Sequence, residues 1–132
     1  MKLFVSDYDM TLYINRIVDD KVIKAIKRWR EKGNIFVIAT GRNKFSILEQ
    51  THNNNIEFDY IIANNGALIM DKDSNIILKE EIEINDAMEV INYLYNSYEG
   101  SVEISNDNEI LSVIPRKGEH NLPFKVDRKI TI

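Results

Sequence analysis

Two carboxylates lie one residue apart where an apolar stretch ends. Asp7 and Asp9 directly follow the segment LFVS, and Thr11 comes two residues later. Like charges this close repel each other, so the pair lowers stability unless a metal ion or a reaction offsets the repulsion. Carboxylate oxygens are ligands that Mg²⁺ prefers. One carboxylate can also attack phosphorus while a second acid protonates the leaving oxygen, so the pair indicates phosphoryl transfer.

Two further polar segments follow apolar runs in the same way. The first is TGR at residues 40–42, and the second is NNGA at residues 64–67. Thr40 offers a hydroxyl group, and the amide of Gly41 allows a phosphate oxygen to approach closely. Arg42 suits bidentate binding of a phosphate or carboxylate of the substrate. Capping a helix or pairing with a surface acid is the alternative role for Arg42.

The apolar runs predict the elements that hold these segments. Continuous apolar stretches are typical of buried strands, and amphipathic stretches between them indicate helices. We predict strands at 2–6, 34–40 and 59–64, with helices at 19–33 and 43–50. This β-α-β-α-β order is typical of a doubly wound α/β sheet. Ligands bind at the carboxyl ends of such strands, so the three polar segments are expected to converge there.

The rest of the chain has a different pattern. Residues 67–80 read as a hairpin, 85–98 as an amphipathic helix and 101–115 as a second hairpin. We therefore predict a Rossmann-like core at residues 1–80 and the beginning of a separate α+β module at residues 81–132.

Three segments resemble the haloacid dehalogenase (HAD) superfamily. DYDMTL at 7–12 matches its DxDxT motif, and IATGR at 38–42 matches the second motif as found in Cof-type, class IIB phosphatases. IIANNGALI at 61–69 is similar to the end of the third strand in that group. The resemblance implies a HAD-type Rossmann-like sheet, the N-terminal half of the core, followed by the start of an α+β cap.

The resemblance also implies roles for particular residues. Asp7 would be the nucleophile and Asp9 the general acid/base, while the Asp7 side chain and the Asp9 backbone carbonyl would bind Mg²⁺. The substrate-binding residues expected beside them are Thr11, Thr40, Gly41 and Arg42. The implied activity is Mg²⁺-dependent hydrolysis of small phosphorylated metabolites, such as sugar phosphates, through an aspartyl phosphate. The resemblance does not identify the substrate.

The chain departs from the family pattern in two motifs. The family uses a lysine after the cap and an acidic GDxxND motif, and no Gly-Asp pair occurs in this sequence. We therefore expect the N-terminal part of a longer phosphatase, with negligible activity on its own. A self-contained capless enzyme is one alternative, in which Lys79 and either Asp107 or Glu109 replace the missing groups. A degenerate domain that binds a phosphorylated ligand or a partner protein is another.

Composition narrows the setting of the protein. Hydrophobic residues make up 44% of 132 residues, which is enough for a packed core. The net charge of −4 argues against nonspecific nucleic-acid binding, and no apolar run is long enough to cross a membrane. The absence of cysteine fits a cytoplasmic location. Since the strands that follow the cap would pair beside residues 2–6, we expect an exposed edge there that favours self-association.

Overall fold

The chain divides into two compact units, Met1–Glu81 and Ile82–Ile132. A computed structural model describes residues 1–97, 102–105, 110–113 and 129–130. The division falls one residue from the predicted boundary between the two modules. The identity of these units as core and cap stays a prediction.

The first unit contains the predicted α/β elements in the predicted order. They are β1 (Leu3–Asp7), β2 (Tyr13–Ile14), β3 (Ile17–Val18), α1 (Asp20–Glu31), β4 (Ile35–Ala39), α2 (Lys44–Asn53), β5 (Tyr60–Ala63), β6 (Leu68–Asp71) and β7 (Ile76–Lys79). A short 3₁₀ turn at Asn64–Gly66 joins β5 to β6.

Five of these strands form one sheet in the order β1-β4-β5-β6-β7. β1, β4 and β5 are parallel, whereas β6 and β7 add an antiparallel hairpin at residues that the sequence predicted as one. Asp7 pairs with Ala39, and Ala39 pairs with Ile62. The register therefore ends the three parallel strands together, and the polar segments follow them at one edge of the sheet. The predicted α/β fold is confirmed.

Side-chain caps start both helices of this unit. Asp19 accepts a hydrogen bond from the backbone N–H of Lys21 at α1, and Asn43 accepts one from the N–H of Ser46 at α2. These bonds satisfy backbone donors that the first turn of a helix cannot pair internally.

The hydrophobic core lies between the two helices and one face of the sheet. Phe36, Ile38 and Ile61 share that face by register, and each is fully buried. Ile26 of α1 and Ile47 of α2 belong to the same cluster. Both helices therefore pack against the face of the sheet that carries these three strand residues.

The small hairpin of β2 and β3 was not predicted from the sequence. Its two antiparallel strands are joined by Asn15 and Arg16, whose φ angles are 52° and 64°. Such positive angles suit the tight hairpin turns that match strand twist, where Asn-Gly is the usual signal. Arg16 in place of glycine, together with strands of two residues, left no clear hairpin signal in the sequence.

The second unit contains α3 (Ile84–Ser97), β8 (Val102–Ser105), β9 (Ile110–Val113) and β10 (Lys129–Ile130). β8 and β9 are antiparallel, which confirms the predicted hairpin within 101–115, and β10 pairs parallel with β9. Among the residues that the structure describes, no helix has the length and apolar character needed to span a membrane.

Candidate active site

Asp7 is the last residue of β1 and presents an exposed carboxylate. Its Oδ2 accepts a hydrogen bond of 3.1 Å from the hydroxyl of Thr11. Because Asp7 pairs with Ala39, the Thr40–Arg42 segment begins on the strand beside it. The structure thus places the predicted nucleophile at the carboxyl edge of the sheet, where ligands of open α/β folds bind.

The loop after β1 is closed by the carbonyl of Tyr8. That carbonyl accepts the backbone N–H groups of Thr11, Leu12 and Tyr13, while the N–H of Met10 donates to the carbonyl of Tyr13. The carbonyl of Asp9 accepts none of these loop hydrogen bonds. It therefore has capacity for a further ligand, as do the carbonyls of Met10 and Thr11 in the same loop.

Asp9 is clamped by Arg42. The guanidinium Nε donates to Asp9 Oδ2 at 2.8 Å, and Nη2 donates to Oδ1 at 2.7 Å. These hydrogen bonds hold the pKa of the Asp9 carboxyl below its usual range, although partial burial opposes the effect. The same contact raises the pKa of Arg42. Asp9 is thus held in its ionised form in this arrangement.

Arg42 is also held by groups other than Asp9. Its Nη1 donates to the hydroxyl of Ser46 at 2.9 Å. The guanidinium carbon lies 5.2 Å from the ring centre of Tyr8 and 5.8 Å from that of Tyr13, which is within cation–π range. The two rings stack on each other with centres 5.4 Å apart.

Thr40 and Gly41 are packed against the turn that follows β5. Thr40 is buried, and its carbonyl accepts the N–H of Asn65 at 3.2 Å. The N–H of Asn64 donates to the carbonyl of Arg42 at 2.9 Å, which ties the two loops together. A Cβ atom on Gly41 would lie 2.9 Å from Asn65 Oδ1, so the Asn65 side chain would have to move to admit any larger residue. The predicted convergence of the loops is therefore present in the structure.

The oxygen atoms at this edge suit a hard cation. The Asp7 carboxylate is exposed, and the carbonyl of Asp9 is unused by the loop, so Mg²⁺ with several water ligands fits the set. Within the described residues, no three or more His, Cys, Asp or Glu side chains are grouped so that they could hold a metal ion together. The side chain of Asp9 is engaged with Arg42, which leaves Asp7 as the side-chain ligand best placed for the metal.

Several residues that shape the site were not predicted from the sequence. No role was predicted for Tyr8, Tyr13 or Ser46. A spacing of four residues links Ser46 and Gln50 of α2 to Asn54, the residue that caps its C-terminus. That spacing is the feature of the sequence that would have indicated this polar stripe.

A family model for haloacid dehalogenase-like hydrolases matches residues 4–130. A protein of Mycoplasma capricolum, described only as uncharacterized, is 30% identical over 117 residues. The match covers 82% of this chain and 44% of that protein.

Solved structures show the same fold. A haloacid dehalogenase-like hydrolase from B. subtilis is 26% identical with a TM-score of 0.76, and the match covers 89% of this chain and 40% of that one. A HAD subclass IIB sugar phosphatase is 24% identical with a TM-score of 0.70, covering 86% of this chain and 44% of that one. The chain thus spans less than half the length of these proteins.

Proposed function

The chain belongs to the haloacid dehalogenase-like hydrolase family, and on that premise we propose that it acts in a Mg²⁺-dependent phosphatase of small phosphorylated metabolites. The observation that carries the proposal is the exposed carboxylate of Asp7 at the edge where the Thr40 and Asn64 loops converge. The match to a sugar phosphatase favours sugar phosphates or similar compounds as substrates. Because the chain spans less than half of its relatives, the activity proposed is that of the whole protein.

The proposed reaction has two steps. An oxygen of Asp7 attacks phosphorus, the bond from phosphorus to the leaving oxygen breaks, and the protonated Asp9 carboxyl gives its proton to that oxygen. Asp9, now ionised, takes a proton from water, and the water oxygen attacks phosphorus and displaces Asp7. Mg²⁺, when bound, would supply positive charge that offsets the repulsion between Asp7 and the phosphate.

The contact with Arg42 favours the second of these steps. Paired with the guanidinium, Asp9 has a lowered pKa and is ionised, which is the form that the second step requires, although the lower pKa also makes it a weaker base. Donation in the first step requires Asp9 to be protonated, which the same contact opposes. We therefore infer that the Asp9–Arg42 pair is looser when a substrate is bound than in the structure described.

The neighbouring loops supply the proposed phosphate contacts. We assign the Thr40 hydroxyl and the Gly41 amide to the transferring phosphoryl group, with Thr11 beside Asp7. A substrate contact from Arg42 remains a prediction, since the guanidinium would have to exchange Asp9 for the substrate. We also propose that the second unit belongs to a cap domain, which in this family contributes to substrate choice.

Covalent phosphorylation of Asp7 is the direct test. The chain is treated with Mg²⁺ and a small phosphate donor such as acetyl phosphate, and its intact mass is measured. We expect a mass increase of one phosphoryl group, absent in Asp7→Asn and in the presence of chelator. Asp9→Asn is the matched control, because it removes the proposed proton carrier and leaves the nucleophile. Phosphorylation that persists in Asp7→Asn would overturn the assignment.

The capless alternative is weakened by the sheet order. It requires Lys79 to approach Asp7, but Lys79 ends β7 and Asp7 ends β1 at opposite margins of the five strands. Four strand spacings separate them, or about 19 Å at the usual distance between strands. Lys79 also forms an ion pair with Glu81 at 2.7 Å. Asp107 and Glu109, the other residues in that alternative, lie outside the described residues.

The binding-domain alternative gives a different result in the same experiment. Such a domain would bind Mg²⁺ with beryllium fluoride, a mimic of the phosphoryl group, but would never become phosphorylated on Asp7. Negligible phosphatase activity of the 132-residue chain on its own stays a prediction, as do a cytoplasmic location and the absence of nucleic-acid partners.

A further inference from the structure

A polar stripe on α2 faces the loop that carries the two aspartates. The stripe consists of Ser46 and Gln50 on one face of α2 and Asn54, the C-cap residue that follows the helix at the same spacing of four. Their side chains contact two residues of the site, Arg42 and Tyr8, and neither the family pattern nor the proposed chemistry assigns them a role.

Gln50 and Asn54 hold the hydroxyl of Tyr8. The Tyr8 hydroxyl donates to Gln50 Oε1 at 3.2 Å and accepts from Asn54 Nδ2 at 3.4 Å. Tyr8 is fully buried, and burial raises its pKa to about 12, so the hydroxyl stays protonated. Because Tyr8 lies between Asp7 and Asp9 in the chain, anchoring its side chain fixes the backbone from which both carboxylates extend.

Ser46 holds Arg42 from the other side. Its hydroxyl accepts from Nη1, while Nε and Nη2 carry the two bonds to Asp9. The Arg42 backbone is fixed as well, because its N–H donates to Thr40 Oγ1 at 3.1 Å. The guanidinium is thus oriented by contacts that do not involve Asp9, which distinguishes it from a mobile side chain that happens to meet an acid.

We propose that the α2 stripe is a positioning device for the Asp9 carboxylate. Ser46 orients Arg42, while Gln50 and Asn54 anchor Tyr8. Together these contacts fix the position of the Asp9 carboxylate between the two reaction steps. The stripe residues touch neither substrate nor reacting atoms, so they are positioning residues. The catalytic role of Asp9 rests on the proposed function, whereas the position of its carboxylate can be measured without any turnover.

The first test uses NMR on the 132-residue chain without metal. The Arg42 Nε–H signal reports on the clamp, and the ¹³Cγ signal of Asp9 reports on the carboxylate. Ser46→Ala removes the hydroxyl acceptor, and we expect exchange of the Arg42 Nε–H with water to accelerate on the order of tenfold, with a shift of the Asp9 signal. Ser46→Thr keeps the hydroxyl and should restore both signals. Unchanged signals in Ser46→Ala would overturn the role of Ser46.

The second test separates anchoring from helix stability. Tyr8→Phe keeps the ring under Arg42 and removes only the hydroxyl that Gln50 and Asn54 hold, so the Asp9 signal should move. Glu49→Gln changes an exposed residue of α2 outside the stripe and should move neither signal. If Glu49→Gln shifts them as much as Ser46→Ala does, the effect comes from the helix in general and the proposal fails.

The outcome is distinguishable from failure of the proposed function. The Ser46 hydroxyl contacts Arg42 and not Asp7, so Mg²⁺-dependent phosphorylation of Asp7 is expected in the Ser46→Ala variant as in the parent. Loss of Asp7 phosphorylation in the parent would reject the phosphatase assignment, while the NMR result would still decide whether the stripe positions Asp9.

Discussion

Asp7 and Asp9 are two residues apart, yet their carboxylates have different surroundings. Asp7 is exposed and accepts one hydrogen bond from Thr11, whereas Asp9 is bound at both oxygens by Arg42. The clamp relieves part of the repulsion that the sequence pattern implied, because it neutralises one of the two charges. Asp7 is therefore the carboxylate with oxygen atoms available to a metal ion or a phosphorus atom.

Mg²⁺ binding should depend on the Asp7 side chain. Asp7→Asn removes a charge and the best side-chain ligand, so we expect the Mg²⁺ affinity measured by calorimetry or by NMR shifts to fall at least tenfold, an order-of-magnitude expectation for one charged ligand. Asp9→Asn should have a smaller effect, since the proposed ligand there is the backbone carbonyl. Equal affinity of Asp7→Asn and the parent would contradict the assigned metal site.

Gly41 and Asn65 should be energetically coupled. Gly41→Ala puts a Cβ atom 2.9 Å from Asn65 Oδ1, and we expect the free energy of unfolding to fall by about 1 kcal/mol. Asn65→Gly removes the obstructing side chain and tolerates the φ of 55° at that position. In the Asn65→Gly background, Gly41→Ala should therefore cost close to nothing in urea unfolding. Equal costs in both backgrounds would show that the contact does not constrain residue 41.

At the scale of elements, long apolar or amphipathic runs and the convergence of the loops were predictable, whereas the side-chain partners between loops were not. The strand at Ile35–Ala39 and the helix at Asp20–Glu31 follow from residue patterns that their own segments contain. The pairing of Arg42 with Asp9 joins positions 33 residues apart. A guanidinium meets similar oxygen atoms on a phosphate, on a substrate carboxylate and on Asp9. The partner of Arg42 could therefore not be predicted from the sequence.

A network at the opposite end of the parallel strands links three elements. Asp59, just before β5, accepts two hydrogen bonds from Arg30 of α1, at 3.1 and 2.9 Å, and one of 2.8 Å from the N–H of Phe36 in β4. Burial raises the pKa of Asp59, but the bonds from Arg30 and Phe36 outweigh it and the net pKa is lowered. A carboxyl with a lower pKa in the folded state stabilises the fold while it is ionised.

This network should make stability depend on pH. The contribution of Asp59 is present above its unfolded pKa of about 3.9 and is lost as the pH falls through the lower folded value. Asp59→Asn should reduce the free energy of unfolding by about 1–2 kcal/mol at neutral pH, with a smaller difference in acid. Urea unfolding of the parent and of Asp59→Asn at pH 7 and near pH 3 measures the difference in free energy of unfolding under each condition.

Glu57 provides the matched control for Asp59. It also pairs with Arg30, at 2.6 Å, but its side chain is 56% exposed, so Glu57→Gln should cost less than about 1 kcal/mol. A loss in Asp59→Asn that is the same at both pH values would show that the effect is packing rather than charge.

At the scale of the whole molecule, β1 is the edge strand of the five-stranded sheet in the described part of the chain. Leu3, Phe4 and Val5 are exposed there although they are apolar. Phe4 packs edge-on against Trp29 and beside Phe36, so its exposure is only partial, whereas Leu3 is 63% exposed. An apolar strand edge with unpaired backbone groups favours addition of another strand.

We therefore expect the 132-residue chain to self-associate through β1. Light scattering over a range of concentrations should show a rising mean mass, and Leu3→Lys should reduce it, because a charge on an edge strand opposes pairing. Ile17→Lys is the matched control: Ile17 is 66% exposed but lies on the separate β2–β3 hairpin, so association should persist.

Ile77→Lys changes the β7 edge, where residue 77 is also exposed, and tests the other margin of the sheet. A parent chain that stays monomeric at high concentration contradicts the prediction, and association that survives Leu3→Lys but not Ile77→Lys would transfer the interface from β1 to β7.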